Sequence, residues 1–217
     1  MSHRIRLFII AESILYILFL TLDLMGGFTT TWLKYAGILL CVCIGFSLAS
    51  TWSGYLTAWA LLLTAAADLF LLVLNRHYTT GLFIFCLVQL LYCLKLSLPE
   101  KKCPPWELGL RIGLPSALIF LLWLFHQQSL LNALAAFYFC NLVFNAFKSF
   151  RCSGRGLFTT GLFLFIGCDI CVGLFNLDIH ILWLKAFVSI AMWAFYLPSQ
   201  VLITLSIFSK KERSCLS

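Results

Sequence analysis

The chain reads as an all-α, polytopic transmembrane bundle of about eight helices that forms a single domain over residues 1–217, and three observations predict it. Hydrophobic residues make up 62% of the sequence and charged residues 11%, where a soluble domain carries about 25% charged. Mean hydropathy is +1.00. The apolar residues gather in runs of the roughly 20 residues that a helix needs to cross a hydrocarbon core, with short polar breaks between them.

The first run, 5–24, follows a basic start at Arg4 and Arg6, as the apolar core of a signal peptide does. Glu12 inside it, its continuation to Leu24 and the lack of a small-residue cleavage site make it a first membrane helix instead. Further spans follow at 32–50, 54–74 and 79–97. The segment Leu98–Leu108, with Pro99, Lys101, Lys102, Pro104 and Pro105, is the one connection with room for structure of its own. Spans at 109–125, 129–147, 156–176 and 181–207 complete the set. With the N-terminus inside, twelve Lys and Arg residues, Lys95, Arg111 and Lys148 among them, fall on the cytoplasmic side, against Lys34, Arg76 and Lys185 outside. This asymmetry puts both termini in the cytoplasm. A compact chain without an organellar targeting segment favours a bacterial inner membrane over a eukaryotic endomembrane.

The net charge of +7 does not indicate nucleic acid, because no basic stripe interleaved with aromatics lies on a soluble segment. The ten cysteines lie mostly within the predicted helices and lack the spacing of a disulfide framework or a paired CxxC site. The C-terminal Cys215-Leu216-Ser217 is one residue short of a prenylation box, so no lipid anchor is expected. The histidines, His3, His77, His126 and His180, form no HExxH, and no GxSxG, Walker A or Rossmann pattern is present. No metal or cofactor is expected.

Chemistry is expected where charge enters the apolar runs. Asp169 interrupts GLFTTGLFLFIGCDICVGLFN (156–176), and Asp68 interrupts the third span. A carboxylate at membrane depth is costly unless it faces the bundle interior, and by default it is functional. Both are followed seven residues later by asparagine, Asn75 and Asn176, which on a regular helix share their face. Helices three and seven run in the same direction, which places both carboxylates about 10 Å from the outer helix ends. Neither helix shows a Gly or Pro break beside its aspartate. The remaining polar residues also lie in single-face stripes: Glu12, Tyr16 and Asp23; Thr57 and Thr64; Gln89 and Tyr92; Tyr138, Asn141, Asn145 and Lys148; Ser189, Tyr196 and Gln200. Such stripes face inward, either as interhelical hydrogen bonds or as a site. Pro198 frees the carbonyl of Ala194, which a neighbouring group must satisfy in a membrane. Pro115 has no polar company and reads as a plain kink. The phrase Thr-Thr-Gly-Leu-Phe occurs at both 79–83 and 159–163, on helices of opposite direction, and reads as common membrane vocabulary.

Three stretches, ADLFLLVLNRHYTTGLFIFCLVQLLYCLKL (67–96), GLFLFIGCDICVGLFN (161–176) and FYLPSQVLITLS (195–206), resemble the YhhN-type lysoplasmalogenase family of eight-span membrane proteins. The resemblance implies hydrolysis of the vinyl ether bond of lysoplasmalogens to a fatty aldehyde and glycerophosphoethanolamine or glycerophosphocholine. It implies Asp68 and Asp169 as the catalytic pair and puts Gln89, Tyr92, Tyr196 and Gln200 at family positions; together with Asn141 from the helix-six stripe, these are expected to bind a lysophospholipid substrate drawn from the membrane. Many members carry histidine where this chain has Gln89, and glutamine transfers no proton at neutral pH. Two other classes use the same residues: a lipid-binding protein or proton- or cation-coupled transporter working through the aspartates, and a zinc-dependent lipid amidase.

Overall fold

The computed structural model describes residues 3–98, 105–126, 129–151, 156–176 and 182–208. Their helices are α1 (His3–Met25), α2 (Thr31–Leu48), α3 (Trp52–Asp68), α4 (Tyr78–Ser97), α5 (Pro105–Leu124), α6 (Leu130–Arg151), α7 (Gly156–Asn176) and α8 (Leu182–Ser206). A π-helical turn, Leu69–Val73, continues α3, and with it all eight helices are long and apolar enough to cross a membrane. The protein is a multi-pass integral membrane protein. His180, Pro99, Lys101, Lys102, Pro104, Arg155, Lys210, Lys211, Arg213 and Cys215 lie outside the described residues.

α3, α4, α6, α7 and α8 close into a ring, each packing on the next, with α2 seated against α3 and α8. α1 leans on α2 and α8 from outside, and α5 packs on α6. The outward faces carry the large apolar residues, such as Ile10, Ile14 and Ile17 on α1 and Phe120 and Trp123 on α5. Polar side chains point inward because lipid offers their hydrogen-bonding groups no partner.

Small residues set the closest approaches. A Cβ on Gly81 would fall 2.6 Å from Leu71 Cγ, and one on Gly161 would fall 2.7 Å from Ile203 Cγ1 and 3.0 Å from the Ser199 carbonyl oxygen. The repeated Thr-Thr-Gly-Leu-Phe phrase thus supplies, at two unrelated helix crossings, the glycine that makes room for a neighbour, the Leu71 side chain at Gly81 and the α8 backbone at Gly161.

Both helix-interior prolines have their freed carbonyls satisfied from a neighbouring helix. Tyr16 Oη on α1 donates to Ala194 O at 3.2 Å, closing the gap left by Pro198. Pro115 is not the plain kink expected, since Asn141 Nδ2 on α6 approaches Arg111 O, the carbonyl Pro115 frees, at 3.5 Å. At the end of the bundle near Met25, Asp23 accepts from Thr30 Oγ1 and pairs with Lys34 at 2.7 Å, while the Lys34 ammonium lies 4.7 Å from the Trp193 ring centroid. This clasp ties α1, α2 and α8 together.

Other expectations are corrected. Helix three is unbroken beside its aspartate but not regular: its hydrogen bonding widens into the π turn at Leu69, and the chain then passes through left-handed Asn75 (φ 48°) and His77 (φ 57°). No Gly or Pro marks this because the change needs only one extra residue in the turn. The paired Asp-to-Asn spacing therefore gives no shared buried face. Asn75 and Asn176 are exposed at helix ends, bonding Tyr78 Oη and Val172 O. α5 begins at Pro105, four residues before the expected 109, because proline is at home in the first helical turn. Lys95, Arg111 and Lys148, read as cytoplasmic topology charges, are 1%, 7% and 9% exposed and lie inside the bundle.

Candidate active site

The two aspartates sit at corresponding depths on α3 and α7, each held by a tyrosine from the helix it faces. Tyr196 Oη on α8 donates to Asp68 Oδ2. Tyr138 Oη on α6 donates to Asp169 Oδ2 at 2.6 Å. Asp68 is buried and Asp169 half-buried. Between the pairs stands Phe165 of α7, its ring centroid 5.5 Å from Tyr196 and 6.4 Å from Tyr138, with Phe85 of α4 closing the other side at 5.3 Å from Tyr138 and 5.9 Å from Phe165. The carboxylates lie within electrostatic reach of each other, and Tyr35 of α2 lies within reach of Asp68. Two acids, two phenols and an aromatic partition thus share one layer of the membrane interior.

This placement follows from local sequence. Residues 65–67, all alanine, keep α3 slim next to Asp68, and the π turn begins directly after it. On α7, Gly161 brings the helix against α8 one turn from Phe165, and Cys168 is buried beside Asp169.

The other expected site residues divide between two places. Asn141 and Gln89 belong to a buried ionic network joining α4, α5 and α6. There Glu107 accepts from Lys148 Nζ at 2.7 and 2.9 Å and from Arg111 Nε at 3.1 Å. Arg111 donates onward to Asn141 Oδ1 at 3.3 Å and Asn145 Oδ1 at 2.9 Å, and Asn145 Nδ2 donates to Gln89 O and Oε1, both at 3.0 Å. Tyr92 and Gln200 are enclosed inward of the carboxylate layer; the Tyr92 ring lies 5.2 Å from that of Phe158. Tyr138 was visible in the helix-six stripe as one polar residue among four, and its match to Tyr196 emerges only when α6 and α8 are seen to face the two aspartates. In the sequence Arg111 counts only as a cytoplasmic charge and Glu107 falls within the Leu98–Leu108 connection, so their pairing shows only in the structure.

A third carboxylate, Glu12 of α1, is buried apart from the pair and accepts from the Cys41 thiol at 3.5 Å. His77 and His126 are exposed, and among the described residues no three His, Cys, Asp or Glu side chains converge as a metal site requires. Comparison of the chain with protein-family models, with curated proteins and with solved structures finds no match.

Proposed function

We propose that the protein is an intramembrane hydrolase of the lysoplasmalogenase kind, cleaving the vinyl ether bond of a lysophospholipid by acid catalysis at Asp68 and Asp169. The observation that carries the reading is the pair of Tyr–Asp hydrogen bonds on either side of Phe165. A vinyl ether is hydrolysed by proton transfer to the alkene carbon remote from oxygen, which leaves an oxocarbenium ion. Water adds to that cation, and the hemiacetal collapses to aldehyde and alcohol. The reaction asks for one protonated acid and one anion side by side. Two carboxyls in one low-dielectric layer, each on its own tyrosine on either side of Phe165, offer the two groups that these roles need. The arrangement parallels the carboxyl pairs that serve oxocarbenium chemistry in glycosidases. Each tyrosine fixes one carboxyl's rotamer, and the rings of Phe85 and Phe165 form an apolar wall suited to the alkenyl chain. The same proposal puts the protein in a bacterial inner membrane with its Lys- and Arg-rich connections cytoplasmic.

Fatty-aldehyde release from a lysoplasmenyl lipid by the purified protein tests the reading. Asp68→Asn and Asp169→Asn are each expected to lower the rate by about 10²–10⁴, the range of general acid–base catalysis, and Tyr138→Phe and Tyr196→Phe by roughly tenfold through lost orientation. Full activity in both folded Asp→Asn variants would sink the mechanism. One observation fits a second reading, a proton- or cation-coupled transporter: α3 widens into a π turn directly after Asp68, a local irregularity common at functional sites. Solute-driven proton uptake into proteoliposomes, without aldehyde release, would select it.

A further inference from the structure

One turn inward from the carboxylates lies a second polar layer whose groups are left without partners. α3 and α8 run antiparallel, with Gly54 beside Ile207 at one end and Asp68 bonded to Tyr196 at the other. Thr64, one turn before Asp68, and Gln200, one turn after Tyr196, therefore stand level, about 6 Å below that bond. Gln89 lies one turn after Phe85, and the contacts of Leu71 with Gly81 and Thr57 with Lys95 set its depth on α4 next to that of Thr64. Tyr92 follows on the same face. All four residues are at most 2% exposed. Among the described residues, Thr64 Oγ1, Gln89 Nε2, Tyr92 Oη and Gln200 Oε1 have no hydrogen-bond partner. Buried polar atoms are nearly always satisfied, by protein, water or a ligand, so four unsatisfied ones from three helices at neighbouring depths mark a place for a polar guest.

The chemistry of that ligand follows from which atom each side chain offers. Arg111 has only donors, and it gives one to Asn145 Oδ1 at 2.9 Å. Asn145 must then present Nδ2, which donates to Gln89 Oε1 at 3.0 Å. Gln89 is left with Nε2 as a donor whose direction is fixed from two residues away. Gln200 offers an acceptor, and the hydroxyls of Thr64 and Tyr92 serve either way. A phosphate offers acceptors alone and would face Gln200 Oε1 unpaired; an ammonium offers donors alone and would face Gln89 Nε2. A hydroxyl does both.

We propose that this layer is a subsite for the uncharged glycerol unit of the ligand, and that Gln89, oriented by Arg111 and Asn145, selects for a free hydroxyl beside the ether. The identity of the ligand rests on the hydrolase reading; the preference for hydroxyls does not. The probes are 1-O-hexadecylglycerol, which carries two hydroxyls and no cleavable bond, and its 2-deoxy counterpart, 3-hexadecyloxypropan-1-ol. Thermal unfolding of the purified protein in detergent is followed against each. The glycerol ether is expected to reach half-maximal stabilisation at a concentration at least about tenfold lower than the deoxy ether, the loss expected for one buried hydrogen bond. Gln89→Met and, independently, Thr64→Val are expected to erase the difference. In parallel, removal of the 2-hydroxyl from the vinyl ether substrate is expected to lower kcat/KM roughly 100-fold in the wild type and hardly at all in Gln89→Met. Equal response to both ethers overturns the subsite even where aldehyde is released. Hydroxyl-dependent stabilisation without aldehyde release sustains the subsite and removes the hydrolase.

Discussion

Gly161→Ala is the sharpest perturbation of the packing that positions the site, because Gly161 lets α7, which carries Asp169, meet α8, which carries Tyr196. The added Cβ would lie 2.7 Å from Ile203 Cγ1, 3.0 Å from the Ser199 carbonyl oxygen and 3.2 Å from the Ile203 nitrogen. Carbon atoms pack best about 3.5–4.0 Å apart, so the helices must separate by on the order of 1 Å. Two of the three opposing atoms are backbone, and Ile203 is completely enclosed, so no side-chain rotation absorbs the strain. Overpacking of this kind costs about 1–3 kcal/mol. Gly167→Ala on the same helix is the control, since its Cβ would meet the Phe195 ring at 3.4–3.5 Å, an ordinary contact. Both variants gain the roughly 0.8–1 kcal/mol by which alanine exceeds glycine in helices, so that term cancels between them. Gly161→Ala should then be less stable than Gly167→Ala by the overpacking cost alone, about 1–3 kcal/mol, measured by reversible SDS unfolding in mixed micelles. A difference below about 0.5 kcal/mol, within the reach of ordinary surface changes, would refute the close crossing and the placement of the two Tyr–Asp pairs that depends on it.

Two further outcomes are expected from the same unfolding measurement. Tyr16→Phe should lose about 1 kcal/mol in the native sequence and almost nothing in a Pro198→Ala background, where residue 198 regains the N–H that bonds Ala194 O; equal losses in both backgrounds would disprove the compensation. Glu107→Gln leaves Arg111 and Lys148 without the carboxylate they share and should destabilise by about 3–5 kcal/mol, much of it recovered by adding Lys148→Met. A loss under about 1 kcal/mol would show the network to be dispensable.

The spans and the inward polar stripes were legible because lipid imposes a single rule on every helix, and hydropathy records it. The satisfaction of Ala194 O was also foreseeable, since Pro198 announces the missing donor, although nothing in the sequence selects Tyr16 to supply it. The π turn was not legible: LFLLV is an unremarkable apolar string, and its Leu71 packs closely on Gly81 of α4, a contact that spacing within one helix does not show. Arg111 and Lys148 misled for a different reason. Near a helix end, a cation has the same sequence appearance whether it faces the aqueous phase or turns inward to a carboxylate. The division of the expected site into a carboxylate layer, holding Asp68, Asp169 and Tyr196, an inner pair, Tyr92 and Gln200, and an ionic network that takes in Gln89 and Asn141 depends on helix register that spacing within one helix cannot supply. Tyr138 belongs with the first group for the same reason.

The bond between Glu107 and Lys148 also bears on how the chain is built into its membrane. α5 arrives with Glu107 and Arg111 on one face, already offsetting each other one turn apart, and its principal neighbour is α6. Glu107 and Arg111 lie in the first two turns of α5, and a charge there that is turned away from water needs a partner from a neighbouring helix. Lys148 stands near the far end of α6 and can reach Glu107 only after that helix has crossed in its turn. The bond thus joins the start of α5 to the end of α6 and closes the two segments into an antiparallel hairpin.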